Sequence, residues 1–507
     1  MNQETAASVW HRLDGLKEPL MTRVERYAAL TIPKVCLPTG FDVMSADQTH
    51  DYQSLGAQSV NHVVNKLMTA MFAPSRPFFR VSEGKKTRES AKQAGISETA
   101  IGDILANMER QGSQMLDKLA QRPKLYQALR HLVITGNALL ILDPGMIRVL
   151  GLRYFNVKRT HNGKVHTLVI REEMCFNELD ESIQELCGHL HKSEDKVSHY
   201  RLIRKDGKRY TMTQWVDEYC LPEQFSAGWS EEKFPYRVLT WDLTDESDYG
   251  TGLVEDYAGD FEALSVLSES IVTGGVIGTE FRWVANPNGM TSIEDFRNSV
   301  NGDTIPGNAK DVSAISPPVV EGVRIAQTVA QEYVQRISRG FLMGSAVIRD
   351  SERVTAEEVR MTAMELESSF GGVYSALAPS IQEPIALWML DNADLPIAGS
   401  DLSVVIVTGL DALSRNGDLE NLKLGIATLG GLINVPEPLQ QRIRWQELSD
   451  FIGQAVGVDL KRFILTDAEM QQLQQQAMAQ QAAASTVEAG GVAAAQAAAQ
   501  PQQQPGM

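Results

Sequence analysis

Between residues 238 and 281 the chain carries ten carboxylates and not one lysine or arginine. Within that stretch Leu253, Tyr257, Phe261, Leu264, Leu267 and Ile271 recur every three or four residues, the spacing of one face of an α-helix. Glu255, Asp256, Glu262 and Glu269 fall mostly off that stripe, so the pattern predicts an amphipathic helix with an acidic back, closed by Gly274 and Gly275. The segment on to Val323 is rich in turn formers, among them Asn286-Pro287-Asn288-Gly289, Asn301-Gly302-Asp303 and Pro317-Pro318. A second helix is predicted over residues 324–343, where Ile325, Val329, Tyr333, Ile337 and Phe341 stand four apart. Two helices therefore flank one small excursion.

Upstream, helical patterns cover residues 6–33, 52–74 and 98–121. The second places Leu55, Val60, Val63, Val64, Leu67, Met68, Met71 and Phe72 on one stripe. The third places Ile101, Ile104, Leu105, Met108, Met115, Leu116 and Leu119 at helical intervals. After a helix near residues 125–133 the pattern changes to short apolar strands, and residues 138–241 read as a β-rich module. Asn162-Gly163 and Asp206-Gly207 each separate strand-like flanks, which is the hairpin signal.

Downstream, residues 344–353 (GSAVIRDSER) cannot sustain a buried stripe and read as a loop. Thr355-x-x-Glu358 has capping-box spacing and starts a long helix, which Gly371-Gly372, Pro379 and Pro384 should kink. More helices are expected at residues 419–429 and 438–455, with another capping box at Thr466 and Glu469. The Ala/Gln-rich residues 480–507 carry one charge, Glu488, and are expected to be disordered.

A length of 507 residues suggests about three packed units. The N-terminus lacks a basic start with an apolar stretch, and no run of about 18 apolar residues occurs, so neither secretion nor membrane spanning is expected. The four cysteines, Cys36, Cys175, Cys187 and Cys220, show no Cys-x-x-Cys spacing and fit a reducing cytoplasm. A net charge of -17 argues against broad counterion-release binding to nucleic acid. No P-loop, His-Glu-x-x-His or Gly-x-Ser-x-Gly motif is present. Cys187, His189 and His191 could suit zinc, but the spacing is no recognised finger, and no metal or cofactor is assigned. The carboxylates of residues 238–281 read first as a solvated helix face and second as an acidic wall toward another polyanion. Residue logic alone gives a helix-rich, acidic, multidomain chain without an evident active site.

Six stretches, in order along the chain, carry a resemblance: RYAALTIP (26–33), DYQSLGA (51–57), NKLMTAMFAP (65–74), ITGNALLIL (134–142), ESDYGTGLVEDYAGDFEAL (246–264) and RVTAEEVRMTAMELESSFGGVYSALA (353–378). With them the chain resembles the portal (head-to-tail connector) proteins of short-tailed, podovirus-type bacteriophages. The resemblance implies an α+β, mainly α, ring subunit of about twelve copies at one capsid vertex. Its parts would be a helical wing (1–122), a β-rich wing (123–250), stem helices (251–278 and 324–343) around a small α/β clip (279–323), and a channel loop (344–354). A long kinked helix with wing return (355–415), a helical crown (416–479) and the tail (480–507) would follow.

The ring would pass double-stranded DNA during packaging and ejection. Implied partners are the terminase large subunit, the major capsid and scaffolding proteins, and the tail adaptor and internal core proteins, without membrane insertion. It would be assembled in the host cytoplasm and end at the portal vertex of the virion, with no enzymatic activity. The residues placed at the channel loop are Gly344, Ser345, Arg349, Asp350, Ser351, Glu352 and Arg353, followed by the cap Thr355 and Glu358. Arg349 and Arg353 would touch phosphate while Asp350 and Glu352 limit dwell. The stem would pack through Leu253, Tyr257, Phe261, Leu264, Ile325, Val329, Tyr333 and Ile337 and carry Glu255, Asp256, Glu262 and Glu269 on its acidic face. A tail adaptor or other structural ring protein and a metal-dependent nuclease remain as competing readings.

Overall fold

The computed structural model describes residues 4–38, 40–41, 51–73, 77–93, 98–280, 282–315, 319–344, 356–395 and 401–406. The helices expected at 419–429 and 438–455, the crown, the Ala/Gln tail and the second capping box lie outside these residues. The chain divides into two compact units, Met1–Leu410 and Asp411–Met507, rather than about three. The reason is that the helical N-terminal part, much of the β-rich part and the helix pair share one hydrophobic core.

The N-terminal part comprises α1 (Ala6–Leu30), α2 (Leu55–Met71), β1 (Phe79–Glu83), α3 (Lys85–Gln93), α4 (Glu98–Lys118) and α5 (Arg122–Thr135). Thr5 caps α1 by accepting from the Ser8 N–H at 3.2 Å. On α2, Val60, Val63, Val64, Leu67 and Met71 are fully buried, so the stripe read from sequence faces the core. On α4, Leu116 is buried but Ile104 is exposed, so that stripe is narrower than its spacing suggested. β1 had no sequence signal; it pairs antiparallel with β13 (Leu402–Ile406), more than three hundred residues away.

The β-rich part contains β2 (Asn137–Asp143), β3 (Met146–Leu150), β4 (Phe155–Arg159), β5 (Val165–Cys175), α6 (Glu181–Cys187), β6 (Lys196–Asp206), β7 (Arg209–Val216), β8 (Tyr219–Cys220), β9 (Ala227–Ser230) and β10 (Tyr236–Thr240). One antiparallel sheet runs β4-β5-β6-β7-β8 with β9 also on β7, and a second runs β10-β2-β3. Both hairpin signals form: Gly163 and Gly207 take positive φ, 72° and 58°. In the second hairpin Asp206 pairs with Arg209, so the turn residues are Gly207 and Lys208. The sheet receives α1 through Trp10 and Leu13, which pack with Val169, Tyr200, Leu202 and Trp215. Beside them the buried Lys17 ammonium donates to the carbonyls of Leu152 at 3.0 Å and Phe155 at 3.1 Å. Burial pulls its pKa down to about 8 against the opposing pull of Asp14.

The end of α5, the start of β2 and the approach to α7 meet at a crossing of glycines. Gly136 ends α5 with φ 72°, and a Cβ there would lie 2.6 Å from the Gly250 carbonyl and the Gly252 nitrogen. Asn137 grips the same segment: its amide donates to the Gly250 carbonyl at 2.7 Å while its carbonyl accepts the Gly250 N–H at 2.9 Å. Two backbones thus touch with no side chain between them.

The remaining elements are α7 (Leu253–Asp256), α8 (Ala258–Thr279), β11 (Arg282–Ala285), α9 (Ile293–Asn298), β12 (Val312–Ile315), α10 (Val320–Gly340), α11 (Ala356–Phe370) and α12 (Gly372–Asn392). The long helix after residue 355 breaks at Gly371, whose φ is 55°. Pro379 and Pro384 lie inside α12 without ending it, so the glycine pair supplies the break.

Gly136→Ala should lower subunit stability by roughly 2–4 kcal/mol in denaturant unfolding, because both the positive φ and the backbone contact oppose a Cβ. His131 on α5 is buried with no hydrogen-bond partner at Nδ1, and burial lowers its pKa from 6.5 to about 4. The unfolded chain therefore takes up a proton that the folded one refuses, and stability falls as pH drops from 6.5 toward 4. Between pH 7 and 4.5 the wild-type protein should lose about 2 kcal/mol more than His131→Leu, measured by denaturant unfolding at each pH.

Candidate functional site

The chemistry-bearing candidates cluster on α8 and α10, which pack mainly on each other. At the inner end Phe341 is fully buried, with Tyr257 and Phe261 edge-on at ring-centroid distances of 5.3 Å and 5.6 Å. Leu253, Phe261, Leu264 and Ile337 are buried there, and Tyr333 packs partly buried against the same core. The helix predicted as continuous is broken: Tyr257 leaves helical geometry (φ -112°, ψ 8°) and separates α7 from α8. A Cβ at Gly340 would overlap the Tyr257 ring, which is why a glycine ends α10.

Away from the core the pair behaves differently. Gly274 and Gly275 do not close the first helix, which runs on to Thr279. Gly274 instead lets α10 approach, since a Cβ there would lie 2.6 Å from Val323, and at Gly278 a Cβ would meet Val319 at 3.2 Å. Ile325, expected in the packed stripe, is 58% exposed, and Val329 is half-buried. Val266, Val272, Val276, Ile277 and Val320 are also exposed. The cause is geometric: two helices bury one stripe each, and this pair carries apolar residues on more than one. α8 is in addition the one described helix long and apolar enough to cross a membrane, with a mean hydropathy of 1.2, although the sequence showed no uninterrupted apolar run.

The acidic back is not a bare face. Glu255 pairs with Arg23 and Glu262 with Arg26, each at 3.0 Å, and Asp260 pairs with Arg336 at 2.6 Å. Upstream, Asp248 pairs with Lys158 at 2.8 Å. The bases absent from residues 238–281 are thus supplied by α1, β4 and α10. Glu269 is exposed, and Asp256 borders an open cavity of about 730 Å³ with Trp241, Asp242, Asp260, Arg336 and Arg339. Partial desolvation and the Asp242 charge push the Asp256 carboxyl above its ordinary range.

Between the helices, β11 and β12 form a two-stranded antiparallel ribbon beside α9. Asp311 organises its turn by accepting the N–H groups of Met290 at 2.8 Å and Thr291 at 3.1 Å. Trp283, Met290, Ile293 and Ile315 are exposed on it.

Of the loop candidates only Gly344 is described; Ser345, Arg349, Asp350, Ser351, Glu352, Arg353 and the cap Thr355 lie outside the described residues. The described part of α11, Ala356–Phe370, contains Glu358. The cysteine–histidine candidates separate. Cys187 is buried among Phe176, Ile183 and Val216, His189 lies edge-on to Tyr219, and His191 lies 3.7 Å from Asp217. Among the described residues no three His, Cys, Asp or Glu converge as metal ligands. Sequence reading missed Arg23, Arg26, Arg336 and also Lys66, which pairs with Glu365 of α11 at 2.7 Å; none has a local signal, because each partner is distant in the chain.

A family model described as "Bacteriophage head to tail connecting protein" matches residues 3–464, and the chain belongs to that family. It is 31% identical to the "Portal protein" of Pseudomonas phage phiKMV over 93% of this chain and 95% of that one. It is 29% identical to those of Enterobacteria phage SP6, over 92% of both chains, and Escherichia phage T7, over 94% of this chain and 90% of that one. Among solved structures it overlaps the neck of an empty gene transfer agent particle at 12% identity and a TM-score of 0.36, covering 74% of this chain and 86% of that one.

Phe341→Ala should cost about 3–5 kcal/mol in subunit unfolding, since it empties the junction of Tyr257 and Phe261. Ile325→Ala should change it by no more than about 0.5 kcal/mol.

Proposed function

We propose that this chain is one subunit of a closed portal ring of about twelve copies at the head–tail junction of a bacteriophage, through which double-stranded DNA is packaged and later released. The observation that carries the assembly is the exposed apolar surface of α8 and α10. A heterologous ring contact matches one face of a subunit to a different face of its neighbour, and so it needs such a second stripe. A lipid environment fits less well: it would desolvate the Asp260–Arg336 and Arg26–Glu262 pairs as well as Glu269.

In this reading residues 1–250 form the wing, α7–α8 and α10 the stem, and the β11–α9–β12 excursion the clip. The exposed Trp283, Met290, Ile293 and Ile315 suit the clip to successive docking of the terminase large subunit and the tail adaptor. Residues 344–354 form the channel loop, α11 and α12 the long broken helix, and residues 416–479 the crown. Capsid, scaffolding and internal core proteins are the remaining partners, and assembly takes place in the host cytoplasm. The protein encloses the passage for DNA without transforming it. Twelve copies of a -17 subunit carry roughly -200, so a duplex sliding through releases few counterions and is held weakly. Because Glu255 and Glu262 are already paired, Asp256 and Glu269 are the stem acids left to contribute most to a negative wall.

Negative-stain microscopy of the purified protein should show rings with a hole wide enough for a duplex; solitary subunits under near-native conditions would remove the proposal. Val276→Asn with Ile325→Asn should leave the subunit folded yet prevent ring closure in analytical ultracentrifugation. Replacing Arg349 and Arg353 by alanine should alter DNA packaging or retention in intact rings, read as encapsidated genome per particle.

A further inference from the structure

The chain leaves α10 abruptly. Phe341 still donates to the Ile337 carbonyl at 2.9 Å, but Leu342 takes a left-handed φ of 58°, uncommon for a branched residue. That turn caps α10, with the Leu342 and Met343 N–H groups donating back to the carbonyls of Arg339 at 3.2 Å and Ser338 at 2.8 Å. It leaves the Leu342 carbonyl at the end where α10 concentrates its partial negative charge. Two side chains of α2 receive it. The fully buried Lys66 donates to it at 3.0 Å, and His62 Nε2 lies 2.9 Å away, so Nε2 carries the proton and donates as well. One turn earlier on α2, Ser59 donates to the Met343 sulfur at 3.2 Å. The same Lys66 ammonium also donates to Glu365 Oε2 of α11 at 2.7 Å.

Ser59, His62 and Lys66 follow the i, i+3, i+7 spacing that aligns side chains along one helix face. That face meets the chain on both sides of residues 345–355: at Leu342 and Met343 before them and at Glu365 after them. We infer that this face of α2 is a positioning clamp that fixes the two ends of the segment joining α10 to α11, with Lys66 as the shared bond.

The assignment of consequence rests on the proposed reading of residues 344–354 as the channel loop. A cation is suited to the task because one ammonium has three donors and can hold a carbonyl and a carboxylate together. A buried one holds them strongly, because releasing either leaves a polar group unsatisfied in low dielectric. The clamp residues touch no DNA in this account; they act through the segment whose ends they hold.

Hydrogen exchange on assembled rings tests the clamp. In Lys66→Met the amides of Phe341, Leu342 and Met343 and those of α11 should exchange at least tenfold faster, while those of the β5–β6 ladder stay unchanged. Glu365→Gln, at a partly exposed position, keeps the lysine and guards against a folding failure. It should accelerate α11 and leave residues 341–343 at the wild-type rate. Lys66→Arg should restore most of the protection at both ends. Uniform acceleration over the whole subunit in Lys66→Met, or unchanged exchange at both ends in these variants, would overturn the clamp. Genome retention in the same variants separates the two readings. Loosened ends with normal packaging and retention would count against residues 344–354 as the channel loop while leaving the clamp standing.

Discussion

The fold depends on a place where two backbones touch. Gly136, at the end of α5, and Gly250 and Gly252, before α7, approach within distances that no Cβ allows, and Asn137 locks the contact from both its amide and its carbonyl. This crossing sets where β2 begins and where the chain enters the helix pair. A hydrophobic contact at that point would tolerate a shift of an ångström or more, whereas hydrogen-bonded backbone does not. The helix pair therefore starts from a fixed position, and its inner end is sealed by Phe341 between Tyr257 and Phe261.

The stretches that carried the family resemblance turn out to meet in space. ITGNALLIL and the glycine-containing ESDYGTGLVEDYAGDFEAL share the glycine crossing. RYAALTIP and DYQSLGA meet where Gln53 donates to the Leu30 carbonyl at 2.7 Å and Gly56 leaves room for it. NKLMTAMFAP and the stretch from Arg353 are joined by Lys66 and Glu365. Each pair supplies the two halves of one contact, which gives a physical reason for their residue types without any appeal to a reaction.

Charge is distributed by the same logic. The acid-rich residues 238–281 looked self-contained along the chain, yet Arg23, Arg26, Lys158 and Arg336 arrive from other elements to pair with four of their carboxylates. Such exposed or half-exposed pairs contribute little stability each. Their larger effect is to decide which acids remain available to face a polyanion.

The periodicity of α2, the hairpins at Gly163 and Gly207 and the two helices around an excursion were all legible in the sequence, because each is a short-range preference of backbone and side chain. The family itself was legible for a related reason, since its marker stretches are contiguous. The pairing of β1 with β13, the break at Tyr257, the run of α8 past Gly274 and the exposure of Ile325 were decided only by the tertiary structure. In each, the deciding partner lies far along the chain or on a second helix, and a pattern read along one strand or helix carries no information about what packs against it.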